Sequence, residues 1–399
     1  MIKWFKFALI YFGAFVISIS QFKIAPPAIN NMLVENLGVA SSSIQLLSSI
    51  FAISGIFLAI PGGAIMSKVG PKKLAVSLMG CLALGNIIGY FSTDNYTLLV
   101  VTRILEGISF AMFLMIAMVY IRKWFADGGS GLALGIFGTY SALAQPIIIG
   151  SSQPIVDKIG YQSIWLIIGV LALLTMLIYI FALENIQSQD KKEANIVTEN
   201  YFKEAFANKQ IWFLALCHGC MTFSLFTYLN FGPKILEVYF GASNIQVTSY
   251  MSLFGIAGII IGILAGILVD KTKRPMEIGI IAFTAMSIYW ISQIVQGTAT
   301  PTLIITIFVC ILSSVTGIAY TCVMILASGI SKKPEVTGYN ISIVNTVYYA
   351  VIVVGAPLAA QIVEKFSWNA MFIFFTIISI IGVLSMVLFR TQNKNIKVL

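Results

Sequence analysis

Long apolar segments separated by short polar turns make up nearly the whole chain. Twelve of these segments reach the roughly 20 residues that a helix needs to cross a bilayer, and runs such as GIAGIIIGILAGILV at 255–269 are continuous rather than alternating. Because an open strand would leave backbone groups unsatisfied in lipid, we expect helices. The predicted spans are 7–31, 44–66, 74–93, 96–121, 131–154, 163–183, 211–232, 245–269, 277–297, 301–329, 337–362 and 369–389.

The predicted spans fall into two sets of six, separated by the polar stretch ENIQSQDKKEANIVTENYFKEAFANKQ. The pattern predicts an N-terminal six-helix bundle over 1–183, a cytoplasmic linker over 184–210 and a C-terminal six-helix bundle over 211–399. The predicted fold class is therefore an all-α integral membrane protein, with two bundles around a central cavity.

Composition agrees with this class. Hydrophobic residues make up 59% of the chain and charged residues 10%, whereas soluble domains average about 45–50% and about 25%. A mean hydropathy of +0.95 requires apolar segments throughout the chain rather than one membrane anchor.

Positive charges set the predicted orientation. With a cytoplasmic N-terminus, nineteen of the 24 Lys and Arg residues fall on the cytoplasmic side, and only Lys158, Lys234 and Lys365 fall outside. Membrane proteins carry such an excess on the cytoplasmic side, so we expect both termini to be cytoplasmic in the cell membrane. The same excess accounts for the net charge of +9 without a nucleic-acid partner. The first apolar run lacks a small-residue cleavage site, and we expect it to be retained as a span.

The two halves repeat each other at an offset of 203 residues, without a gap. Matching positions lie six spans apart and share one orientation, which is typical of a parallel repeat about an axis along the membrane normal. The matched pairs are Gly38 with Gly241, Phe51 with Phe254, Gly55 with Gly258, Gly63 with Gly266, and Lys68 with Lys271.

In both copies a Gly-rich helix leads into a short basic turn, GAIMSKVGPKK and GILVDKTKRP. The first of these resembles the signature G-x-x-x-D-[RK]-x-G-x-[RK]-[RK] of the major facilitator superfamily, with Ser67 in place of the acid. RILEG in the fourth span is similar to the family's R-x-x-q-G motif, with Glu106 where glutamine is usual. The resemblance covers essentially the whole chain. It implies a conformational latch formed by Gly63, Lys68, Gly70, Lys72 and Lys73 in the first copy and by Gly266, Asp270 and Lys271 in the second.

Within that family, QFKIAPP in the first span and YLNFGPKILEVYFGASN near the seventh resemble the branch of cyanate-type and related small-anion carriers. Nitrate carriers of the family place an arginine in the second span and another in the eighth, and neither 44–66 nor 245–269 contains a basic residue. Drug/proton antiporters show G-x-x-x-G-P-x-x-G-G in the fifth span, where this chain has GIFGTYSALAQPIIIG. Nitrate transport and drug efflux are therefore both disfavoured.

Three charged residues fall well inside predicted spans: Lys23, Arg103 and Glu106. Arg103 and Glu106 are three residues apart and share a helix face. They form either a local ion pair or a proton-coupling pair in which the buried carboxyl exchanges partners as the carrier moves.

Lys23 lies 17 residues after Lys6, roughly 25 Å along a helix. It could snorkel to the outer headgroups or pair with a carboxylate. Against pairing, the one deep acid, Glu106, already has Arg103 one turn away. The buried charge would then sum to +1, and we expect a substrate anion to supply the missing negative charge. Pro26 and Pro27 would bend the first helix beside it.

Further polar side chains inside the spans are candidate substrate contacts: Gln21, Gln145, Tyr228, Asn230, Asn345 and Tyr348. Each is also suited to a hydrogen bond between helices. All five cysteines lie within spans and read as small apolar residues. CHGC at Cys217–Cys220 is therefore expected to be two thiols beside a buried histidine rather than a metal or redox site, although His218 could carry a proton.

These features predict a secondary active transporter that moves a small solute, favouring an organic or inorganic anion, by proton coupling or exchange. A drug/proton antiporter and a non-transporting receptor are the alternatives. One histidine and no deep aspartate argue against an enzyme, and no P-loop indicates an ATP-driven pump. We expect no cofactor or metal; the predicted partners are the solute, protons or a counter-substrate, and lipid, with the chain as a monomer.

The charge count generates a topology test. Single cysteines at Asn195 and Thr298, in a cysteine-free background, should react with an impermeant maleimide from opposite sides of the membrane. Labelling of both positions from outside intact cells would contradict the predicted orientation.

Overall fold

The computed structural model of the protein describes residues 2–59, 61–125, 133, 136–137, 139–185, 203–330 and 334–392. Within these ranges the regular elements are helices, and no strand is present. Most of the predicted linker, including Asn195, lies outside the described residues, as do the surroundings of Gly63 and the side chain of Asp270. The chain divides into two compact units, Met1–Lys191 and Lys192–Leu399, a division that falls inside the predicted linker.

The α-helices are numbered in chain order. In the N-terminal unit they are α1 Ile2–Phe22, α2 Pro27–Leu37, α3 Ser41–Ser49, α4 Ile53–Leu58, α5 Gly62–Val69, α6 Pro71–Tyr90, α7 Tyr96–Trp124, α8 Tyr140–Ile159 and α9 Ser163–Ala182. In the C-terminal unit they are α10 Lys209–Lys234, α11 Asn244–Thr272, α12 Pro275–Ser292, α13 Thr302–Gly329, α14 Pro334–Lys365 and α15 Trp368–Gln392.

Eleven segments of the described residues are long and apolar enough to cross a membrane, so the predicted class of multi-pass all-α membrane protein is confirmed. The fifth predicted span, 131–154, overlaps α8, which contains Pro146 and Pro154 and is not among the eleven. The count of twelve spans stays a prediction.

The two halves share backbone turns at the predicted offset. Gly38 and Gly241 both adopt a left-handed conformation, with φ of 60° and 69°. Gly70 and Lys273, again 203 residues apart, have φ of 85° and 56° after α5 and α11. Both residues have a positive φ, which favours glycine, but their ψ angles of 147° and 28° differ, so the second basic turn has a different conformation with lysine in place of glycine.

The first predicted span is not one helix. α1 ends at Phe22, and residues 23–26 are non-helical before α2 begins at Pro27. Proline lacks an N–H and disfavours helical geometry in the residue before it, so the pair Pro26–Pro27 separates two helices rather than bending one. Lys23 therefore lies in the break, and its placement inside a continuous helix was wrong.

The second predicted span, 44–66, is also interrupted. α3 tightens into a 3-10 turn over Ile50–Ala52, continues as α4 to Leu58, and restarts as α5 at Gly62 beyond Pro61. Short 3-10 stretches within a helix change the direction and partners of backbone carbonyls. Hydropathy alone does not reveal such a change, because the segment stays apolar across it.

On the predicted cytoplasmic side, Glu184 joins three helix ends of the N-terminal unit. Its carboxylate accepts a hydrogen bond from Trp124 Nε1 at 2.6 Å and lies 3.6 Å from Lys6 and 3.7 Å from Lys123. The indole bond, reinforced by the two ammonium groups, lowers the pKa of the Glu184 carboxyl. Glu184 thereby fixes the residues that follow α9 against α1 and α7.

Gly107 permits a close contact between α7 and the 3-10 turn. A Cβ on Gly107 would overlap the Phe51 carbonyl in the 3-10 turn. Gly85 of α6 similarly leaves no room for a Cβ beside Glu106, whose Cγ would be 2.6 Å away. These two glycines let α6 and the 3-10 turn approach α7 around its charged residues.

Substituting Gly107→Ala should therefore destabilise the protein, despite the better helix propensity of alanine, because the backbone at Phe51 must shift. We expect a loss of about 1–3 kcal/mol, measured as a lower midpoint of thermal unfolding in detergent. Gly262→Ala is the matched control, since a Cβ there meets nothing within 4 Å. Equal midpoints for the two variants would contradict the close contact.

Candidate functional site

Arg103 of α7 uses every N–H of its guanidinium. Nε donates to the Leu47 carbonyl at 3.1 Å, Nη1 to the Ser20 carbonyl and to Glu106 Oε2, each at 2.7 Å, and Nη2 to the carbonyls of Gln21 and Ser48 at 2.9 and 3.3 Å. These are all five donors of the group. The guanidinium carbon also lies 4.5 Å from the centre of the Phe51 ring.

The four carbonyls bound by Arg103 come from the two helix interruptions. Ser20 and Gln21 lie in the last turn of α1, and Leu47 and Ser48 in the last turn of α3. The last four carbonyls of a helix lack partners within that helix, and lipid offers none. Arg103 supplies the missing donors to both interrupted helices.

Glu106 accepts three hydrogen bonds. Lys23 Nζ contacts Oε1 at 2.7 Å, while Arg103 Nη1 and Ser20 Oγ contact Oε2 at 2.7 and 2.9 Å. Both charged partners are fully buried, as is the carboxylate itself. The argument from sequence against a Lys23–Glu106 pair was wrong, because each carboxylate oxygen binds one of the two cations.

Asn86 and Trp165 complete the surroundings of Lys23. Asn86 Oδ1 accepts from Lys23 Nζ at 2.6 Å, and Asn86 Nδ2 donates to the Leu82 carbonyl at 2.8 Å and to Ser20 Oγ at 3.2 Å. The Lys23 ammonium lies 4.9 Å from the centre of the Trp165 ring, a cation–π geometry. Lys23 therefore does not snorkel; its side chain is 0% exposed.

The cluster formed by Lys23, Arg103, Glu106, Asn86 and Ser20 is called the charge network below. Two cations and one carboxylate give it a formal charge of +1 when Glu106 is ionised. Removing one member of a buried ion pair leaves an uncompensated charge, which typically costs about 3–5 kcal/mol. The network therefore stabilises the N-terminal unit only while all three charged side chains are present.

Sequence reasoning missed Asn86, Ser20 and Trp165. Asn86 carried a usable signal, since an amide in the apolar stretch GCLALGNIIGY is costly in lipid without a partner. Ser20 and Trp165 gave no comparable signal, because a serine hydroxyl can donate a hydrogen bond to a carbonyl of its own helix, and tryptophan is common in membrane proteins.

The other candidate contacts are spread over both units. Gln21 adds its backbone carbonyl to the Arg103 site, and Gln145 is buried in α8. On α10, Asn230 donates to the Phe226 carbonyl at 3.0 Å, a bond within its own helix. Asn345 is half-buried on α14.

Tyr228 lines a small cavity in the C-terminal unit with Tyr289, Trp290 and Gln293. Its ring packs on Phe254, with ring centres 4.9 Å apart. Among the residues that the structure describes, neither the Tyr228 hydroxyl nor the Gln293 side-chain oxygen has a hydrogen-bond partner. The residues around the cavity thus include two unpaired polar atoms among aromatic and aliphatic side chains.

Tyr348 of α14 packs against His218 of α10, with ring centres 5.5 Å apart, and against Phe226 at 5.1 Å. His218 is buried between Tyr348 and Tyr320. The neighbouring Cys217 donates to the Gly382 carbonyl. Within the described residues no group of His, Cys, Asp and Glu side chains has the arrangement of a metal site.

The residues of the predicted latch lie in α5, in the turn to α6 and the first turn of α6, and in the last two turns of α11. Gly70 has the positive φ described above, and the side chains of Lys68, Lys73 and Lys271 are exposed. Gly266 has open space at its Cβ position. A latching role for these residues stays a prediction.

Comparisons with known proteins bear on this geometry. The family model described as Major Facilitator Superfamily matches residues 10–349. A probable sulfoacetate transporter of Cupriavidus necator is 24% identical over 280 residues, which cover 67% of this chain and 64% of that relative. A probable sugar efflux transporter of Mannheimia succiniciproducens is 19% identical over 263 residues, covering 66% of this chain and 64% of that relative.

The chain thus spans just under two thirds of the length of these two relatives. The family match, by contrast, extends over most of the chain, including both interrupted helices and the charge network. The chain therefore belongs to the major facilitator superfamily, and the relatives that it matches are transporters.

Proposed function

We propose that this protein is a secondary active transporter that moves a small organic anion across the cell membrane by alternating access, coupled to protons. The observation that carries the proposal is the charge network, in which one carboxylate holds two buried cations. Buried ionisable groups in membrane spans mark substrate and proton pathways.

Glu106 is the proposed proton acceptor. As a carboxylate it accepts from Lys23, Arg103 and Ser20. Protonation removes the negative charge that both cations share, so the formal charge of the network rises from +1 to +2. Lys23 is the more mobile cation, because Arg103 retains four backbone carbonyls, whereas Lys23 retains one hydrogen bond, to Asn86, and the face of the Trp165 ring.

An anion would then replace the lost carboxylate beside Lys23. This order of events links the proton to the anion, because the site attracts the anion most strongly when Glu106 is protonated. The proton and the anion leave together when Lys23 pairs with Glu106 again. Gln21, Gln145, Tyr228, Asn230, Asn345 and Tyr348 remain proposed contacts of the solute. Such a cycle is a symport.

The relative from Cupriavidus necator, named for sulfoacetate, supports a substrate with carboxylate and sulfonate groups. The relative from Mannheimia succiniciproducens, named for sugar efflux, favours a neutral solute instead. A neutral solute would gain nothing from the release of Lys23, so the two substrate classes make opposite predictions for variants of this residue.

Glu106→Gln tests the coupling. The amide keeps the size of the side chain but cannot gain or lose the proton, so sulfoacetate exchange across proteoliposomes should persist while accumulation driven by a pH gradient is lost. Glu277→Gln is the matched control, because Glu277 pairs with Arg390 at 3.1 Å at an exposed site. Accumulation that persists in folded Glu106→Gln protein, with an unchanged pH profile, would assign the pair to structure alone.

Lys23→Gln tests anion binding. We expect the KM for sulfoacetate to rise at least about tenfold, which corresponds to about 1.4 kcal/mol, or uptake to be lost. Lys23→Arg should retain part of the activity because it keeps the charge. The exposed Lys158 gives the control variant Lys158→Gln. Equal transport of glucose by wild type and Lys23→Gln, with no anion uptake in either, would refute the anion assignment.

A further inference from the structure

We infer that His218 and Thr222 of α10 form a second, uncharged subsite, in the C-terminal unit, that hydrogen-bonds oxygen atoms of the transported solute. Tyr320 of α13 and Tyr348 of α14 form its walls. The inference rests on the proposed transport function, and it adds a solute-binding locus apart from the charge network.

His218 is buried with an unused hydrogen-bonding atom. It is 1% exposed, and its Nδ1 has no hydrogen-bond partner among the residues that the structure describes. The imidazole lies between two tyrosine rings, with centres 5.8 Å away at Tyr320 and 5.5 Å away at Tyr348. Buried polar atoms in native proteins are nearly always hydrogen-bonded, so this nitrogen requires a partner that is not a described side chain.

Thr222 provides independent support. It follows His218 by four residues and so lies on the same face of α10. Its hydroxyl is fully buried and, within the described part of the chain, also unpaired. Buried helical threonines such as Thr316 and Thr175 bond the carbonyl one turn earlier, at Leu312 (2.8 Å) and Leu171 (2.7 Å), whereas Thr227 of α10, like Thr222, does not. Thr222 departs from this arrangement and leaves its hydroxyl for another group.

The subsite lies deep in the membrane. His218 is nine residues from the start of α10 at Lys209, and Tyr320 is nine residues from the end of α13 at Gly329. At the rise of a helix, both distances are about 13–14 Å, close to the middle of a hydrocarbon core about 30 Å thick. Substrates of alternating-access carriers bind near this depth.

Its side chains define the ligand chemistry. A neutral imidazole offers one donor and one acceptor, and threonine offers a hydroxyl. The rings of Tyr320 and Tyr348 beside the imidazole suit contact with the carbon chain of a small solute. The subsite therefore fits the carboxylate, sulfonate or hydroxyl oxygens of a small organic solute, and leaves recognition of net charge to the charge network.

His218 is the single histidine of the chain, so selective labelling reports on this site alone. Protein carrying imidazole-15N histidine and an affinity tag without histidine should give one pair of imidazole resonances. Sulfoacetate, acetate and glucose are the probes. We expect sulfoacetate to shift the resonances in a saturable way, and Thr222→Val to raise its apparent Kd severalfold. Thr316→Val is the matched control, since its hydroxyl is used within its own helix, and should leave the Kd unchanged.

Transport separates this inference from the proposed function. His218→Gln, which keeps hydrogen-bonding atoms, should retain more sulfoacetate uptake than His218→Phe, which keeps only the ring packing; both variants are first checked for an unchanged thermal unfolding midpoint. Resonances that respond to none of the three probes overturn the subsite. So does sulfoacetate uptake with an unchanged KM in His218→Phe, although anion transport then stands. A saturable response to glucose alone, without anion uptake by the wild type, retains the subsite and refutes the anion assignment.

Discussion

The guanidinium of Arg103 is the group on which the N-terminal unit depends. Interrupted helices are costly in a membrane because lipid cannot satisfy the carbonyls that they release. One side chain with five fixed donors reaches four such carbonyls and a carboxylate. A lysine could not replace it, since an ammonium has three donors and no planar fork. The helices can therefore be interrupted after Phe22 and at Ile50 because α7 places a guanidinium beside the carbonyls that are released.

The charge network also explains why two cations are retained beside one acid. A single Arg103–Glu106 pair would neutralise itself on one helix face, as an isolated structural element. The approach of Lys23 to the second oxygen of Glu106 makes the carboxylate a shared partner of two separate segments. In the proposed mechanism, protonation of this carboxylate would alter the contact between those segments. The C-terminal unit offers contrasting chemistry at His218, with aromatic and hydroxyl groups.

The sequence was sufficient to predict the features that depend on local pattern or on the internal repeat. Apolar length predicted the helices, and the 203-residue offset predicted that Gly38 and Gly241 are equivalent, which agrees with their left-handed backbone angles. Pro26 and Pro27 indicated a distortion, but its extent depended on Arg103 receiving the released carbonyls from 82 and 83 residues away. The pairing of Lys23 with Glu106 failed as a prediction because a carboxylate has two oxygens, and only the fold decides what reaches each. An amide in an apolar stretch signals that Asn86 needs a partner, but Lys23 and Ser20 are 63 and 66 residues away, so the sequence did not identify them.

The order of the network along the chain has a consequence for biosynthesis. An arginine in a membrane helix opposes insertion, by up to about 2.5–3.5 kcal/mol at the helix centre on the translocon scale, and Arg103 is the eighth residue of α7. Ser20, Gln21, Leu47 and Ser48, whose carbonyls receive Arg103, all precede it in the chain, and Glu106 follows within one turn. When α7 leaves the ribosome, the acceptors for its guanidinium have already been synthesised. The first half of the protein can thus bury its most polar residue as that residue enters the membrane, without waiting for the second half.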